Sequence, residues 1–185
     1  MKKKVILLIL TFLFIPSVYA EKIEVKFSKC VDGDTARFIL NKEEIKVRFI
    51  GINTPESVNA NSEVEEYGIE SSEYTCKKLK NASKIEIEYE ENSDKLDKYG
   101  RTLAYVFVDD KLLETLILKK GYGTVKYVKN NYKYIDELLK AEEYAKNKKL
   151  GIYSDKEEKE IDEISDTVAN IIQKYINKIL AKIFG

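Results

Sequence analysis

Histidine is absent from all 185 residues. That removes Ser-His and Cys-His nucleophile pairs, histidine-built zinc sites and imidazole acid–base chemistry. An enzyme with this sequence must work with carboxylates, lysines, arginines, tyrosines or a hard metal ion. Arginine is scarce as well: Arg37, Arg48 and Arg101 stand against 29 lysines within the 32 cationic residues. Only two cysteines occur, Cys30 and Cys76. With no histidine to activate them they do not support thiol catalysis. They read either as one disulfide closing a long loop or as two partly buried thiols. A surplus of charge is missing too, with 32 basic residues against 32 acidic ones. No cationic field exists that would bind nucleic acid unaided, so any polyanion site must be local, built from a few placed cations.

The first twenty residues read as an address. "MKKK" is a basic n-region, "VILLILTFLFIPSV" an apolar core, and small-residue cleavage fits after Ala20. The apolar run is short for a membrane span and has no stop-transfer charges after it. Residues 1–20 are therefore expected to be a signal peptide and the protein to be secreted. Removing Lys2, Lys3 and Lys4 leaves 29 basic and 32 acidic residues, a net charge of −3.

From Glu21 onward, alternating "KIEVKF" and "TARFIL" predict strands joined at "DGD", and "LNKEEIKVRFIGI" a hairpin bending at Asn41–Glu44. "KIEIEYEE" and "RTLAYVFVDD" predict two more strands. "EEYGIESSEYTCKKLKNA" has acids early and lysines late, as the helix dipole favours. "KLLETLILKKG" and "YIDELLKAEEYAKNKKLG" are further helices stopped by Gly121 and Gly151. The reading is α+β and mainly β: a small five-stranded barrel with three packed helices over residues 21–154. Residues 155–185 are expected to be an acidic linker and an amphipathic helix. In that helix Ile161, Ile164, Val168, Ile171, Ile172, Tyr175, Ile179, Ile183 and Phe184 recur at helical spacing among Lys174, Lys178 and Lys182. Such a helix docks on its own domain, self-associates or lies weakly on a membrane surface.

Four stretches place charged residues at element ends. "VDGDT" is an ordinary Asp-Gly turn in isolation, but two carboxylates at a strand start also suit a hard cation. "VRFIGINTPES" carries Arg48 on a strand, breaks at Pro55 and turns into Glu56. "DKYGR" has the form of a polar hairpin loop, yet it ends on Arg101 where a strand begins. "TVKYVKNNYKY" interleaves Lys126, Tyr127, Lys129, Tyr132 and Lys133, a spacing that suits bases stacked on rings with phosphates nearby. In a lysine-rich chain, an arginine suggests a site that needs a flat two-pronged donor.

In their order and separations, "VDGDT", "VRFIGINTPES", "DKYGR" and "GYGTVKYV" resemble the staphylococcal nuclease, or thermonuclease, family over about Val25–Ser154. The resemblance implies a five-stranded OB-fold-type Greek-key barrel with three helices. It also implies hydrolysis of DNA and RNA phosphodiesters dependent on one Ca2+ ion, leaving 3′-phosphate ends. By position it implies Arg48, Glu56 and Arg101 as catalytic residues, and Asp34, Asn53 and the Thr54 carbonyl as metal ligands with Asp32 just outside them. Lys98, Tyr99, Tyr127 and Lys129 fall at substrate-binding positions. This chain has Asn53 where the best-known member has a second calcium aspartate, and Lys129 where that member has a second tyrosine. Weaker calcium binding or a changed metal preference is the expected consequence of the first. A non-catalytic nucleic-acid-binding module is the competing expectation, and Asn53 is the feature that favours it.

Overall fold

Alternation carries the chain through its strands, and the buried positions of that alternation build the core. In the computed structural model, residues 21–57, 64–154, 168–169, 171–174 and 176–177 are described. The expected signal peptide, the acidic linker and most of the tail helix lie outside them. The elements are β1 (Ile23–Glu24), β2 (Lys26–Cys30), β3 (Thr35–Leu40), β4 (Glu43–Phe49), β5 (Ile52–Asn53), α1 (Gly68–Asn81) and β6 (Ile85–Glu88). There follow β7 (Thr102–Val108), β8 (Lys111–Leu112), α2 (Leu113–Lys119), β9 (Thr124–Val125), α3 (Ile135–Asn147) and a 3-10 turn at Gly151–Tyr153.

The sheet runs β1-β6-β7-β4-β3-β2, and β1 and β2 are two halves of one segment interrupted at Val25. The first half pairs with β6 and the second with β3, so the ladder returns to the segment where it began. The sheet thereby curls round a core that includes Phe38, Val47, Ile87 and Tyr105, all fully buried. Counting that interrupted segment once gives the five strands expected from the sequence. The short β8 and the separate β5–β9 ribbon are additions, because a two-residue strand has no period to read. Every pairing in the main sheet is antiparallel except β4 with β7, which run parallel. The three helices fall where the sequence places them, with α2 packed on β7 and α3. The described tail residues are helical, and Val168, Ile171, Ile172 and Ile176 are about half exposed. Among the described residues no helix is long and apolar enough to cross a membrane.

One buried carboxylate belongs to this framework. Glu114 of α2 is fully buried, and the Val106 N–H donates to both of its oxygens, at 3.0 and 3.3 Å. Burial raises its pKa well above the ordinary value. Unfolded, such a group ionises near about 4.3. The folded chain holds the proton to higher pH, so this contribution to stability is complete below that value and is lost as pH rises through the folded pKa. Glu114→Gln keeps an acceptor for Val106 and removes the charge. It should add about 1–3 kcal/mol to stability at about pH 8 and little at about pH 4, read by urea denaturation. An equal effect at both pH values would show that the carboxyl is not held protonated.

Candidate active site

The Asp32–Asp34 turn is held from behind by α1. A disulfide joins Cys30, the last residue of β2, to Cys76 on α1, with Cα atoms 5.6 Å apart. Of the two readings open for the cysteines, the structure takes the disulfide. It spans 46 residues, and in the loop-entropy model it stabilises the fold by about 4 kcal/mol. From the position just before Cys76, the Thr75 hydroxyl donates to the Gly33 carbonyl at 2.7 Å. A Cβ on Gly33 would lie 2.1 Å from Ser71 Oγ and 2.6 Å from Thr54 Oγ1. Only glycine lets the helix and the Thr54 segment close on the turn from both sides. Asp32 stays in the turn by accepting the Asp34 N–H at 3.1 Å.

This clamp aims Asp34 at the end of β4. Asp34 is 6% exposed, with Oδ1 accepting the Thr35 hydroxyl at 3.0 Å and Oδ2 accepting the Thr54 N–H at 3.0 Å. Arg48 Nη2 lies 2.8 Å from the same Oδ2 and donates to Asn53 Oδ1 at 3.2 Å, while Nη1 donates to the Phe49 carbonyl at 2.7 Å. Burial pushes the Asp34 carboxyl up to about 6, against the pull of the Arg48 guanidinium and with a further push from Asp32. Arg48 is nearly as buried as its neighbour Val47, but it lines the pocket and Val47 belongs to the core.

The second arginine arrives through the parallel pair. Val47 of β4 lies opposite Thr102 of β7, so Arg48, near the end of β4, comes close to Arg101, just before β7 begins. Asp97 sets the guanidinium of Arg101. Its Oδ2 accepts Arg101 Nε at 2.6 Å, and its Oδ1 accepts the N–H groups of Tyr99 and Arg101, each at 2.9 Å. Burial would raise the Asp97 pKa, but these hydrogen bonds outweigh it and hold the pKa below the ordinary value. With Nε engaged, both Nη groups of Arg101 can address a ligand as a fork.

Glu56 lies in the field of both arginines. Partial desolvation of its largely exposed carboxyl raises its pKa, Asp32 and Glu65 raise it further, and Arg48 and Arg101 lower it, with a net upward shift. Its main chain is gripped by Glu65: the Glu56 N–H donates to Glu65 Oε2 and the Glu65 N–H donates to the Glu56 carbonyl, each at 3.0 Å. The start of α1 presses on the same carbonyl, since a Cβ on Gly68 would come within 2.3 Å of it.

A pocket of about 530 Å3 joins these groups. Asp32, Asp34, Arg48, Asn53, Glu56, Lys98, Tyr99, Arg101 and Tyr127 all line it, as the sequence reading requires. Thr54 is tied to it through Asp34 but does not line it. Tyr99 and Tyr127 are 71% and 75% exposed, a high value for rings left beside a pocket of anion-binding groups. Lys98 Nζ and Arg101 lie 4.9 and 5.5 Å from the Tyr99 ring centre. Lys129 stands apart from the pocket wall, and its Nζ donates to the Asn92 carbonyl at 3.2 Å. The interleaved cations and rings are also divided by the fold. Tyr132 is buried against the pocket, and Lys133 pairs with the buried Glu88. Arg37, the third arginine, bridges to Glu44 at 2.9 Å across the β3–β4 hairpin.

The oxygens around Asp34 suit a hard cation. Asp34 Oδ2 and Asn53 Oδ1 share one cationic nitrogen, so both face a point where positive charge is favoured, and the Thr54 carbonyl lies 3.4 Å from Asn53 Nδ2. Among the described residues no three acidic, cysteine or histidine side chains gather as a metal cluster. A cation at that point would meet one carboxylate, one amide and one main-chain carbonyl. That is an oxygen set of low charge, of the kind that calcium accepts.

Sequence reasoning assigned no role to Asp97 or Glu65, and it gave Tyr132 only as one ring of the interleaved run. For Asp97 a signal exists, a carboxylate four residues before the arginine within "DKYGR". Glu65 gives none, because its partner Glu56 is nine residues away with no periodic pattern to link them.

Residues 46–155 match the family model described as staphylococcal nuclease homologue. That span takes in Arg48, Asn53, Glu56 and Arg101 and begins after Asp34. The chain is 42% identical over 135 residues to the SPbeta prophage-derived endonuclease YokF of Bacillus subtilis (strain 168), covering 72% of this chain and 45% of that protein. It is 41% identical over 133 residues to endonuclease YncB of the same strain, covering 71% and 62%. With the thermonuclease of Staphylococcus hyicus it shares 35% identity over 129 residues, or 70% of this chain and 75% of that one. The chain thus spans about half to two thirds of the length of the two Bacillus proteins. On the matched span, the curled sheet and the shared pocket, the chain belongs to the staphylococcal nuclease family.

Proposed function

We propose that this protein is a nuclease that hydrolyses phosphodiester bonds of DNA and RNA with the help of one Ca2+ ion. The observation that carries this is the convergence of Arg48, Glu56 and Arg101 on one pocket beside the Asp34–Asn53 oxygens. The names of the relatives, two endonucleases and a thermonuclease, support it.

The obstacle in phosphodiester hydrolysis is an anion facing a nucleophile, with more charge gathering at the transition state. Asp34, Asn53 and the Thr54 carbonyl would hold the cation, which when bound supplies a positive charge against a phosphate oxygen and a place for water. Arg101, with Nε fixed on Asp97, presents its Nη pair to the equatorial oxygens, and Arg48 approaches from the neighbouring strand. Glu56 accepts the proton of the attacking water or holds that water in line. Its raised pKa makes it a better base than an ordinary carboxylate. Tyr99, Tyr127 and Lys98 rim the opening, where a base and a flanking phosphate would rest. As the family resemblance implies, the products carry 3′-phosphates.

Secretion is part of the proposal, with residues 1–20 as the cleaved address. The Cys30–Cys76 disulfide supports it, because such bonds persist in oxidising compartments. The half-exposed tail isoleucines suit weak surface contact or self-association after export.

The purified chain from Glu21 should digest single-stranded DNA with calcium and stop on addition of a chelator. Asn53 favours the other reading, a binding module without catalysis. Strand binding with no cleavage at millimolar calcium would establish that module and end the nuclease reading.

A further inference from the structure

A second groove, of about 540 Å3, opens between α1, the β7–β8 turn and the end of α2. It shares no lining residue with the active-site pocket. Lys77 and Lys78 of α1, Lys111 of β8 and Lys120 just beyond α2 line it together with Tyr74 and Tyr122. Among the described residues none of these four lysines is in an ion pair, whereas Lys84, Lys133 and Lys146 are. The groove's one carboxylate, Asp109, already accepts the N–H groups of Ser83 and Lys84, at 2.9 and 3.1 Å. Four cations and one engaged carboxylate therefore share one concavity, in a chain whose 32 basic and 32 acidic residues balance. A solvated helix face explains Lys77 and Lys78 by themselves. It does not explain like charges converging from three elements, a repulsive arrangement that a bound anion would offset.

The rings narrow the choice of anion. Tyr74 and Tyr122 meet edge to face with centres 5.6 Å apart, and Lys78 Nζ lies 5.4 Å from the centre of Tyr74. Both rings are half-buried, so each keeps an accessible part beside the cations. Rings interleaved with lysines suit unpaired bases and their phosphates, and the volume is that of an ordinary ligand site. The groove is also tied to the active site. The Tyr122 carbonyl accepts the Ser71 hydroxyl at 3.0 Å, and the next residue, Gly123, is packed so closely that a Cβ there would meet the Asn53 carbonyl at 2.9 Å.

We propose that this groove is a second subsite for single-stranded nucleic acid, holding phosphates on the four lysines and a base against Tyr74, apart from the bond being cut. Its use as an extension of the substrate path rests on the nuclease reading; its binding of a strand does not.

The test replaces Lys77, Lys78, Lys111 and Lys120 together by glutamine in the full chain from Glu21 and compares two substrates. One is a single strand of about 30 nucleotides, long enough to leave the active-site pocket. The other is a nitrophenyl ester of a thymidine phosphate, which fills that pocket alone. On the strand, kcat/KM should fall about tenfold, and the slope of log kcat/KM against log salt should become shallower by about 2 to 3. The ester should be cleaved at the parent rate. An undiminished strand rate, or an equal loss on both substrates, overturns the subsite. Tyr74→Leu, which keeps apolar bulk, should cost about tenfold on the strand and leave the ester rate intact. Should the parent cleave neither substrate, the nuclease reading has failed, and anisotropy of a labelled strand decides the subsite. About tenfold weaker binding by the quadruple variant supports it, and equal binding overturns it.

Discussion

Glu56→Gln should lower the rate of strand cleavage about 10²- to 10⁴-fold. Substrate binding should change by no more than about twofold, because the anion-binding groups are untouched. Glutamine has the size of glutamate but cannot take the proton of an attacking water. The main-chain hydrogen bonds to Glu65 do not involve the side chain of residue 56, so the turn stays in place. The side chain is exposed at the pocket mouth, and the fold does not depend on it. Single-turnover cleavage with strand binding measured in parallel checks the prediction. A rate within threefold of the parent would mean that another group activates the water; among the described residues Asp32 is the other pocket carboxylate without an arginine partner.

Arg48→Lys should be as severe, about 10³-fold, although it keeps the charge. The guanidinium makes three contacts at once, to Asp34, to Asn53 and to the Phe49 carbonyl. One ammonium cannot span them and also face a phosphate with a second prong. Arg48 is 8% exposed, and breaking its pairing with the buried Asp34 should destabilise the fold by about 1–3 kcal/mol. Rates should therefore be compared well below the melting temperature. Arg101→Lys makes the control for this. Its side chain is 27% exposed and rests on one carboxylate, so it should lose activity with a much smaller loss of stability. If Arg48→Lys proved as active as the parent, the site would need charge alone and no fork.

Much of this molecule is legible in its sequence because its signals are local. Strict alternation in "KIEIEYEE" and looser alternation in "TARFIL" give strands, and acids before lysines in "EEYGIESSEYTCKKLKNA" give α1. The Asn41–Lys42 and Asp109–Asp110 turns take positive φ at both central residues, the primed form that matches strand twist, and both lie where polar pairs interrupt apolar runs. What was not legible depends on partners distant along the chain. Lys129 and Lys133 look alike in "TVKYVKNNYKY", yet one is turned to the Asn92 carbonyl and the other to the buried Glu88. No spacing rule separates them, because both partners come from the β6 strand and the loop beyond it. Glu65 escaped notice for a similar reason, whereas Asp97 stands only four residues from Arg101 and was legible in principle. Each acts through another residue, and a positioning group carries no chemistry of its own to recognise.

By itself the sequence determined which chemistry was open to this protein. The absence of histidine left carboxylates, guanidinium groups and a hard ion, and motifs at element ends named the residues to examine. Tertiary structure alone decided that Arg48 and Arg101, 53 positions apart, serve one pocket. They meet through the parallel pairing of β4 with β7, a contact between strands with a helix and two other strands between them in the chain. It likewise decided that the cysteines form a disulfide and that the turn at Asp32–Asp34 is braced by α1. Local interactions set by neighbouring residues can be read from order in the chain. Convergence of distant groups depends on how a whole sheet closes on its core, which no short stretch encodes.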